Sequence, residues 1–424
     1  MLLVNNIREN REDFIERLGK RCIDASDMIE ELIILDDKRK ETQLELDNQL
    51  AESNSIAKQI GQLFKEGNRS EAEVLKAKTS DLKKSSNDLK ETLHSIERDL
   101  QKRLYNIPNV PNPLVVKGKS EEDNEIIKTI GEAKDLGDSA KPHWEIAKEF
   151  DLIDFERGVK VTGAGFPVYK GKGASLQRAL INFFLDEASK SGYDEVIPPL
   201  LINEDSGYGT GQLPDKEGQM YYIGADDLYL IPTAEVPITN LYRGDIIAAE
   251  DLPIKNVGYT PCFRREAGSY GKDVRGLNRL HQFDKVEIVQ VVNPEESYQV
   301  LDTMVDHVAN LIEKLELPYR VLRLCGGDLG FTAALTYDLE VYSGAQGRWL
   351  EVSSVSNFET YQANRLKLRY RTAKEKPQLA HTLNGSALAL PRILAALLEN
   401  NQVDDKIKIP AALVPYTGFE YIEK

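Results

Sequence analysis

From Asp27 to Leu104 apolar residues recur at alternating steps of three and four, which commits this stretch to long helices before any other feature is weighed. Met28, Leu32, Leu35, Leu46, Ile56, Ile60 and Leu63 form one imperfect heptad seam, broken by polar Arg39, Thr42, Gln49 and Ser53. After Gly67-Asn68 a second seam follows, with Leu75, Leu82, Leu89 and Ile96 seven apart and Leu93 and Leu100 at the complementary positions. Two such stripes joined by a Gly-Asn turn predict an antiparallel two-helix coiled coil, roughly 55–60 Å long at 1.5 Å per residue. An arm of that length cannot belong to a compact core. Its second helix carries Lys76, Lys78, Lys83, Lys84, Lys90, Arg98, Lys102 and Arg103, while the first holds more acids than bases. That basic face reads either as the solvated outside of a coiled coil or as a row of phosphate contacts.

Asn106-Ile-Pro-Asn-Val-Pro-Asn-Pro113 ends the helical pattern, because its prolines stop helix and disfavour central strand. The chain therefore divides into an N-terminal domain, 1–110, and a second domain, 111–424. In the latter, β-like stretches (Val159–Thr162, Leu228–Pro232, Val286–Val292, Tyr337–Tyr342, Trp349–Ser353) mix with amphipathic helices near Leu176–Lys190, Tyr298–Leu315 and Ala387–Glu399. Strand and helix do not alternate regularly, so the expected class is α+β, with a mostly antiparallel sheet flanked by helices. No apolar run reaches membrane-spanning length, and the start MLLVNNIRENRE turns charged before a signal core develops, so a cytoplasmic protein with no membrane partner is expected. Cys22, Cys262 and Cys325 lie far apart, which argues against zinc and against a disulfide framework. A net charge of −15 means that any RNA binding must rest on local basic surface.

The segment from Gly258 to Ile288 reads as strand, long loop, strand. A period of two places Arg279, His281, Phe283, Lys285 and Glu287 on one face of the second strand, and Arg264 with Glu266 on one face of the first. Such a face is either a solvated outer surface laced with ion pairs or a nucleotide site, where arginine grips phosphate, phenylalanine stacks on a base and glutamate accepts from amino groups. The segment from Ala387 to Glu399 is apolar nearly all round, so Arg392, its lone cation, needs either a protein carboxylate or a substrate phosphate. Glu351 precedes clustered hydroxyls, hard oxygen ligands that suit Mg²⁺ bridging phosphates. Between Pro232 and Pro237, Thr233 and Glu235 could hold an ammonium, or simply form a turn.

Taken together, these segments resemble the seryl branch of the class II aminoacyl-tRNA synthetases. Phe263-Arg-Arg-Glu266 with Arg279 and Phe283 is similar to motif 2 of that class (about 258–288), and Asn384-Gly-Ser-Ala-Leu-Ala-Leu-Pro-Arg392 to motif 3 (about 381–399). Pro198-Pro199 after a helix is similar to motif 1 (near 176–200), the dimer element. The strings His143-Trp-Glu145, Gly211-Gln-Leu-Pro214, Pro232-Thr-Ala-Glu235, Glu266-Ala-Gly268, His281-Gln-Phe-Asp-Lys-Val-Glu287, Gly327-Asp328 and Thr382-Leu-Asn-Gly-Ser386 are of seryl type and in the family's order.

The resemblance implies a serine–tRNA ligase that uses ATP and Mg²⁺, without zinc. Its substrates would be L-serine and tRNA(Ser), with tRNA(Sec) where a cell has one, and it would be a homodimer. Arg264, Arg279, Lys285 and Arg392 would serve catalysis. Arg264, Arg265, Glu266, Phe283, Glu351, Val352, Ser353, Ser354 and Arg392 would hold ATP, with Glu351 and Ser354 also holding Mg²⁺. Thr233, Ala234, Glu235, Arg264, Glu287, Asn384 and Ser386 would line the serine site. Lys76, Lys83, Lys84 and Lys90 would touch tRNA. Val355, Asn364 and Pro391 depart from the family's usual residues, and none removes a proposed ligand. A prolyl or threonyl enzyme would share motifs 2 and 3 but lack the hairpin.

Overall fold

The computed structural model describes residues 1–133, 136–137, 140–266 and 275–424. It divides into two compact units, one of residues 1–19 and 23–108, the other of residues 20–22 and 109–424.

In the first unit, α1 (Ser26–Glu66) and α2 (Arg69–Leu104) run antiparallel, as the pairs Lys78–Glu52 and Arg103–Glu31 require. Gly67 makes the turn in the left-handed region, φ 85°, where its missing side chain removes the usual penalty. With 41 residues, α1 is about 60 Å long. The inner positions of α2 are 72, 75, 79, 82, 86, 89, 93, 96 and 100, all buried or half-buried at an unbroken heptad spacing. On α1 the buried positions include Ile29, Leu32, Leu46 and Ile56; Ile29 takes the place at the base of the seam expected for the half-buried Met28. Two of the polar positions in the seam, Arg39 and Gln49, find side-chain partners. Ser86 Oγ donates to Gln49 Oε1 at 3.4 Å. Asp36, only 2% exposed, meets Arg8, Arg39 and Lys40 at 3.1, 2.9 and 2.8 Å. Burial alone would raise its carboxyl, but those three partners bring it below the ordinary range. On the outside of α2, Lys76, Lys83, Lys84 and Lys90 are exposed, and Arg69, Lys76, Lys83 and Lys90 stand seven apart in one line.

The second unit is built on an eight-stranded sheet of β1 (Glu125–Ile130), β2 (Asp194–Glu195), β3 (Ile254–Phe263), β4 (Gln282–Val292), β5 (Tyr319–Arg323), β6 (Leu335–Ser343), β7 (Arg348–Asn357) and β8 (His381–Ala389). Their order is β1-β5-β6-β7-β8-β4-β3-β2, with every neighbouring pair antiparallel except β2 with β3. Helices α3 (Gly171–Lys190), α4 (Ser297–Lys314) and α5 (Leu390–Asn400) share one apolar core with the sheet, drawn from residues such as Phe184, Ile288, Leu311, Val352 and Leu394. This is the α+β arrangement expected.

Three local expectations are corrected. Val159–Thr162 is not a strand: Asp154 Oδ1 accepts from the Arg157 N–H at 2.8 Å and caps a helix, Phe155–Val161, against the β-branched preference of its last residues. The motif 3 segment stays extended through Ala389, so the helix opens at Leu390, not Ala387, with Pro391 in its first turn where a missing N–H costs little. The second motif 2 strand begins at Gln282, so Arg279 and His281 precede it. The His281 N–H is taken by Gly165 O at 2.9 Å, and its carbonyl takes the Arg264 N–H at 2.9 Å. Arg21 belongs to this unit. Its guanidinium, 8% exposed, donates to the carbonyls of Asn109, Leu329, Gly330 and Ala333 at 3.0, 2.6, 3.0 and 2.7 Å.

Candidate active site

The middle strands β8 and β4 carry a polar floor inside an otherwise apolar sheet. From Lys285 onward every residue of β4 is buried, so a charge there must find a partner within reach. Lys285 Nζ meets Glu287 Oε2 at 2.5 Å, with both side chains almost fully enclosed. The register sets Ser386 opposite Glu287, and Ser386 Oγ donates to the Glu287 carboxylate at 3.5 Å. A second buried carboxyl joins them from the helix Glu235–Asn240. Gln362 Nε2 donates to Glu235 Oε1 at 2.7 Å, and Thr382 Oγ1 donates to Gln362 Oε1 at 2.7 Å. Thr233 Oγ1 accepts the Glu235 N–H at 3.2 Å, beside fully buried Ala234. Burial and then the charge of Glu287 push the Glu235 carboxyl up to about 7, against the pull of Gln362, Lys285 and Asn384. Burial likewise pushes up the Cys262 thiol, with Lys285 and Arg264 nearby opposing it.

Beyond the end of β3, the Arg264 guanidinium lies 5.2 Å from the Phe283 ring centre, and its Nε donates to Pro232 O at 3.3 Å. Glu266 is ion-paired with Arg279. Arg265 lies 6.0 Å from the Tyr221 ring, whose hydroxyl lies 2.9 Å from His281 Nδ1. His281 also stacks on Phe166 at 5.5 Å and so leaves the face on which the strand period placed it.

On the other side of β8, Arg392 is not a buried cation. Its side chain is 34% exposed, Nη1 donates to Glu351 O at 2.7 Å and lies 3.5 Å from Glu351 Oε2, and Nε donates to Asn278 O at 3.4 Å. Ser354 Oγ donates to Asp338 Oδ1 at 2.6 Å, and Ser353 Oγ to Ser386 O at 2.6 Å; Val352 is buried. Burial, then the nearby charge of Glu351, holds the Asp338 carboxyl well above the usual range. Among the described residues no group of three or more His, Cys, Asp or Glu side chains could hold a metal ion.

The structure thus links Thr233, Glu235, Lys285, Glu287, Asn384 and Ser386 in one polar network, and sets Arg392 beside Glu351. Sequence reasoning missed Gln362 and Asp338. Asp338 was within reach, because a period of two along β6 puts Thr336, Asp338 and Glu340 on one face. Gln362 comes from a separate short helix, Thr360–Leu366, that no spacing ties to the strands. Ala267 and Gly268, part of the quoted Glu-Ala-Gly string, lie outside the described residues.

Residues 1–111 match the seryl-tRNA synthetase N-terminal domain, and residues 222–401 match the class II tRNA synthetase core domain for glycine, histidine, proline, serine and threonine. A serine–tRNA ligase of Salinibacter ruber is 51% identical over 424 residues, covering 100% of this chain and 99% of its own. The chain belongs to the seryl-tRNA synthetase family. It is therefore a class II aminoacyl-tRNA ligase of the seryl type. The same architecture recurs in the seryl-tRNA synthetase of Pyrococcus horikoshii solved with ATP, with TM-score 0.93, 35% identity and coverage of 100% and 99%. It recurs in the cytoplasmic serine–tRNA ligase of Naegleria fowleri solved with AMP, with TM-score 0.88, 26% identity and coverage of 100% and 99%. Among the described residues no helix is long and apolar enough to cross a membrane.

Proposed function

We propose that this chain joins L-serine to ATP, forming seryl-adenylate and pyrophosphate, and then moves serine to the 3′ end of tRNA(Ser), and of tRNA(Sec) where that tRNA is present. The observation that carries this reading is the pair of buried carboxyls, Glu235 and Glu287, set among hydroxyl and amide side chains. Glu235 accepts the serine ammonium, with Thr233 and Ala234 shaping the approach and Asn384 beside it. Glu287, with Lys285 and Ser386 beside it, offers a buried carboxylate acceptor that rewards the serine hydroxyl and that alanine cannot use.

Adenylate formation needs orientation and charge neutralisation rather than a protein nucleophile. The serine carboxylate oxygen bonds to the α-phosphorus as the bond to the bridging oxygen breaks and pyrophosphate leaves. Arg264 holds the α-phosphate and the carboxylate, and Phe283 stacks on the adenine. Glu266 faces the adenine amino group, with Arg265 and Arg279 close by. Arg392 grips the terminal phosphate. Glu351 and Ser354 are oxygen donors that would hold Mg²⁺, the repulsion between the Glu351 and Asp338 carboxyls suits a divalent cation, and Mg²⁺ there would neutralise phosphate charge; Val352 and Ser353 back this edge.

Residues 1–110 form the tRNA-binding domain in this reading and 111–424 the catalytic domain. The line of Lys76, Lys83 and Lys90, with Lys84 next to it, supplies phosphate contacts. The enzyme works as a cytoplasmic homodimer joined through the segment near 176–200. The test is ATP–pyrophosphate exchange with each of the common amino acids. Serine alone should support it; equal exchange with alanine or threonine overturns the substrate assignment.

A further inference from the structure

His143 and Glu399 form a buried pair that the reaction described above does not use. Both side chains are fully enclosed, and His143 Nδ1 lies 2.7 Å from Glu399 Oε1. Leu277 donates its backbone N–H to His143 Nε2 at 2.8 Å. Nε2 is therefore an acceptor, and the ring proton sits on Nδ1, pointed at Glu399. Glu399 also accepts from the His143 N–H at 3.0 Å, from Gln346 Nε2 at 2.9 Å and from Ser343 Oγ. Four donors thus satisfy this one buried carboxylate.

The network ends on groups assigned to ATP. Asn278, next to Leu277, gives its carbonyl to Arg392 Nε at 3.4 Å, and its Nδ2 donates to Gln346 Oε1 at 3.0 Å. Arg392 and Glu399 stand seven apart on α5, two turns on one face. A closed ring results: Glu399 fixes His143, His143 fixes Leu277, and Asn278 fixes the guanidinium of the helix that carries Glu399. Gly276 shows how tightly the imidazole fits, since a Cβ there would sit 2.2 Å from Nε2.

We propose that His143 is a positioning residue. Its neutral imidazole, oriented by Glu399, holds the strand entry at Leu277-Asn278 so that Arg392 meets the triphosphate in one fixed geometry. This rests on the assignment of Arg392 to ATP.

Three substitutions separate this role from simple packing. Glutamine can place an acceptor near Nε2, whereas asparagine can reach only the Nδ1 position and alanine neither. His143→Gln should keep ATP affinity within about threefold of the parent, while His143→Asn and His143→Ala weaken it about tenfold or more, with serine KM changed less than about twofold. In an Arg392→Ala background His143→Asn should cost less than about twofold further, because one acts through the other. Equilibrium ATP binding is measured alongside serine-dependent exchange on the full chain. Absence of exchange in the parent would count against the serine reading, while the binding arm would still judge the positioning role. Unchanged ATP affinity in folded His143→Asn overturns the proposal, as do equal losses for ATP and serine or additive losses with Arg392→Ala.

Discussion

Glu235 is a carboxyl poised between its two protonation states, and that makes it the residue through which pH should be felt. With its folded-site value near 7, it is charged above that point and neutral below it. An ammonium loses its partner on acidification, so serine KM should rise about tenfold per pH unit below 7 while ATP KM stays level. Glu235→Gln should flatten the profile. The stability sign runs the other way from an ion-paired acid. The folded state holds a proton that the unfolded chain releases above about 4.5, so stability is lost as pH rises from 4.5 to 7. Glu235→Gln should then be more stable than the parent by about 3 kcal/mol at pH 8 and equal to it near pH 4.5. A serine KM that ignores pH over this range would remove Glu235 from the ammonium role. At this scale much was legible: strand parity placed Lys285 and Glu287 together because both fall inside β4, where its register with β3 is unbroken even though its pairing with β8 shifts between them. It failed for His281, which lies before the strand, and it offered no route to Gln362, whose helix reaches Glu235 only in the folded chain.

Among the elements, the hairpin was the easiest to read, because a heptad seam is a local pattern whose partner is another copy of the same pattern. Its polar interruptions were harder. Gln49 and Ser86 sit in different helices and look like defects until they meet, and Asp36 looks like surface until Arg8 arrives from a short preceding helix, Val4–Glu9. Element ends were least legible, since a single cap at Asp154 or a strand continuing to Ala389 outweighs the average preference of the neighbouring residues. The seam predicts a separable weakness. Leu93, 8% exposed, packs inside the hairpin, and Leu93→Ala should destabilise it by about 2–3 kcal/mol. Thermal unfolding followed by far-ultraviolet dichroism should show the helical arm melting earlier while serine-dependent exchange is unchanged. Loss of exchange in step with the arm would show that the two units do not behave separately.

For the whole molecule, the two units imply two separable tasks. Excising Asp36 to Ile96 and closing the helices with a short turn removes most of the hairpin and leaves every residue of the polar network in place. Pyrophosphate exchange should survive, and charging of tRNA(Ser) should fall about a hundredfold or more because the basic line of α2 goes with the arm. Near-normal charging would reassign the arm to another partner. Arg21 adds an order of events. Its carbonyl partners at Leu329, Gly330 and Ala333 lie 308, 309 and 312 residues downstream, whereas α1 and α2 need only each other. A chain leaving the ribosome N-terminus first can close its hairpin early, but the residues leading into it must wait until most of the polypeptide has been made. Trypsin cuts after lysine and arginine, so nascent chains arrested short of Leu329 should be clipped at Lys20 or Arg21 and released full-length chains should resist. Early protection of that site would mean that something other than the distant carbonyls shelters it.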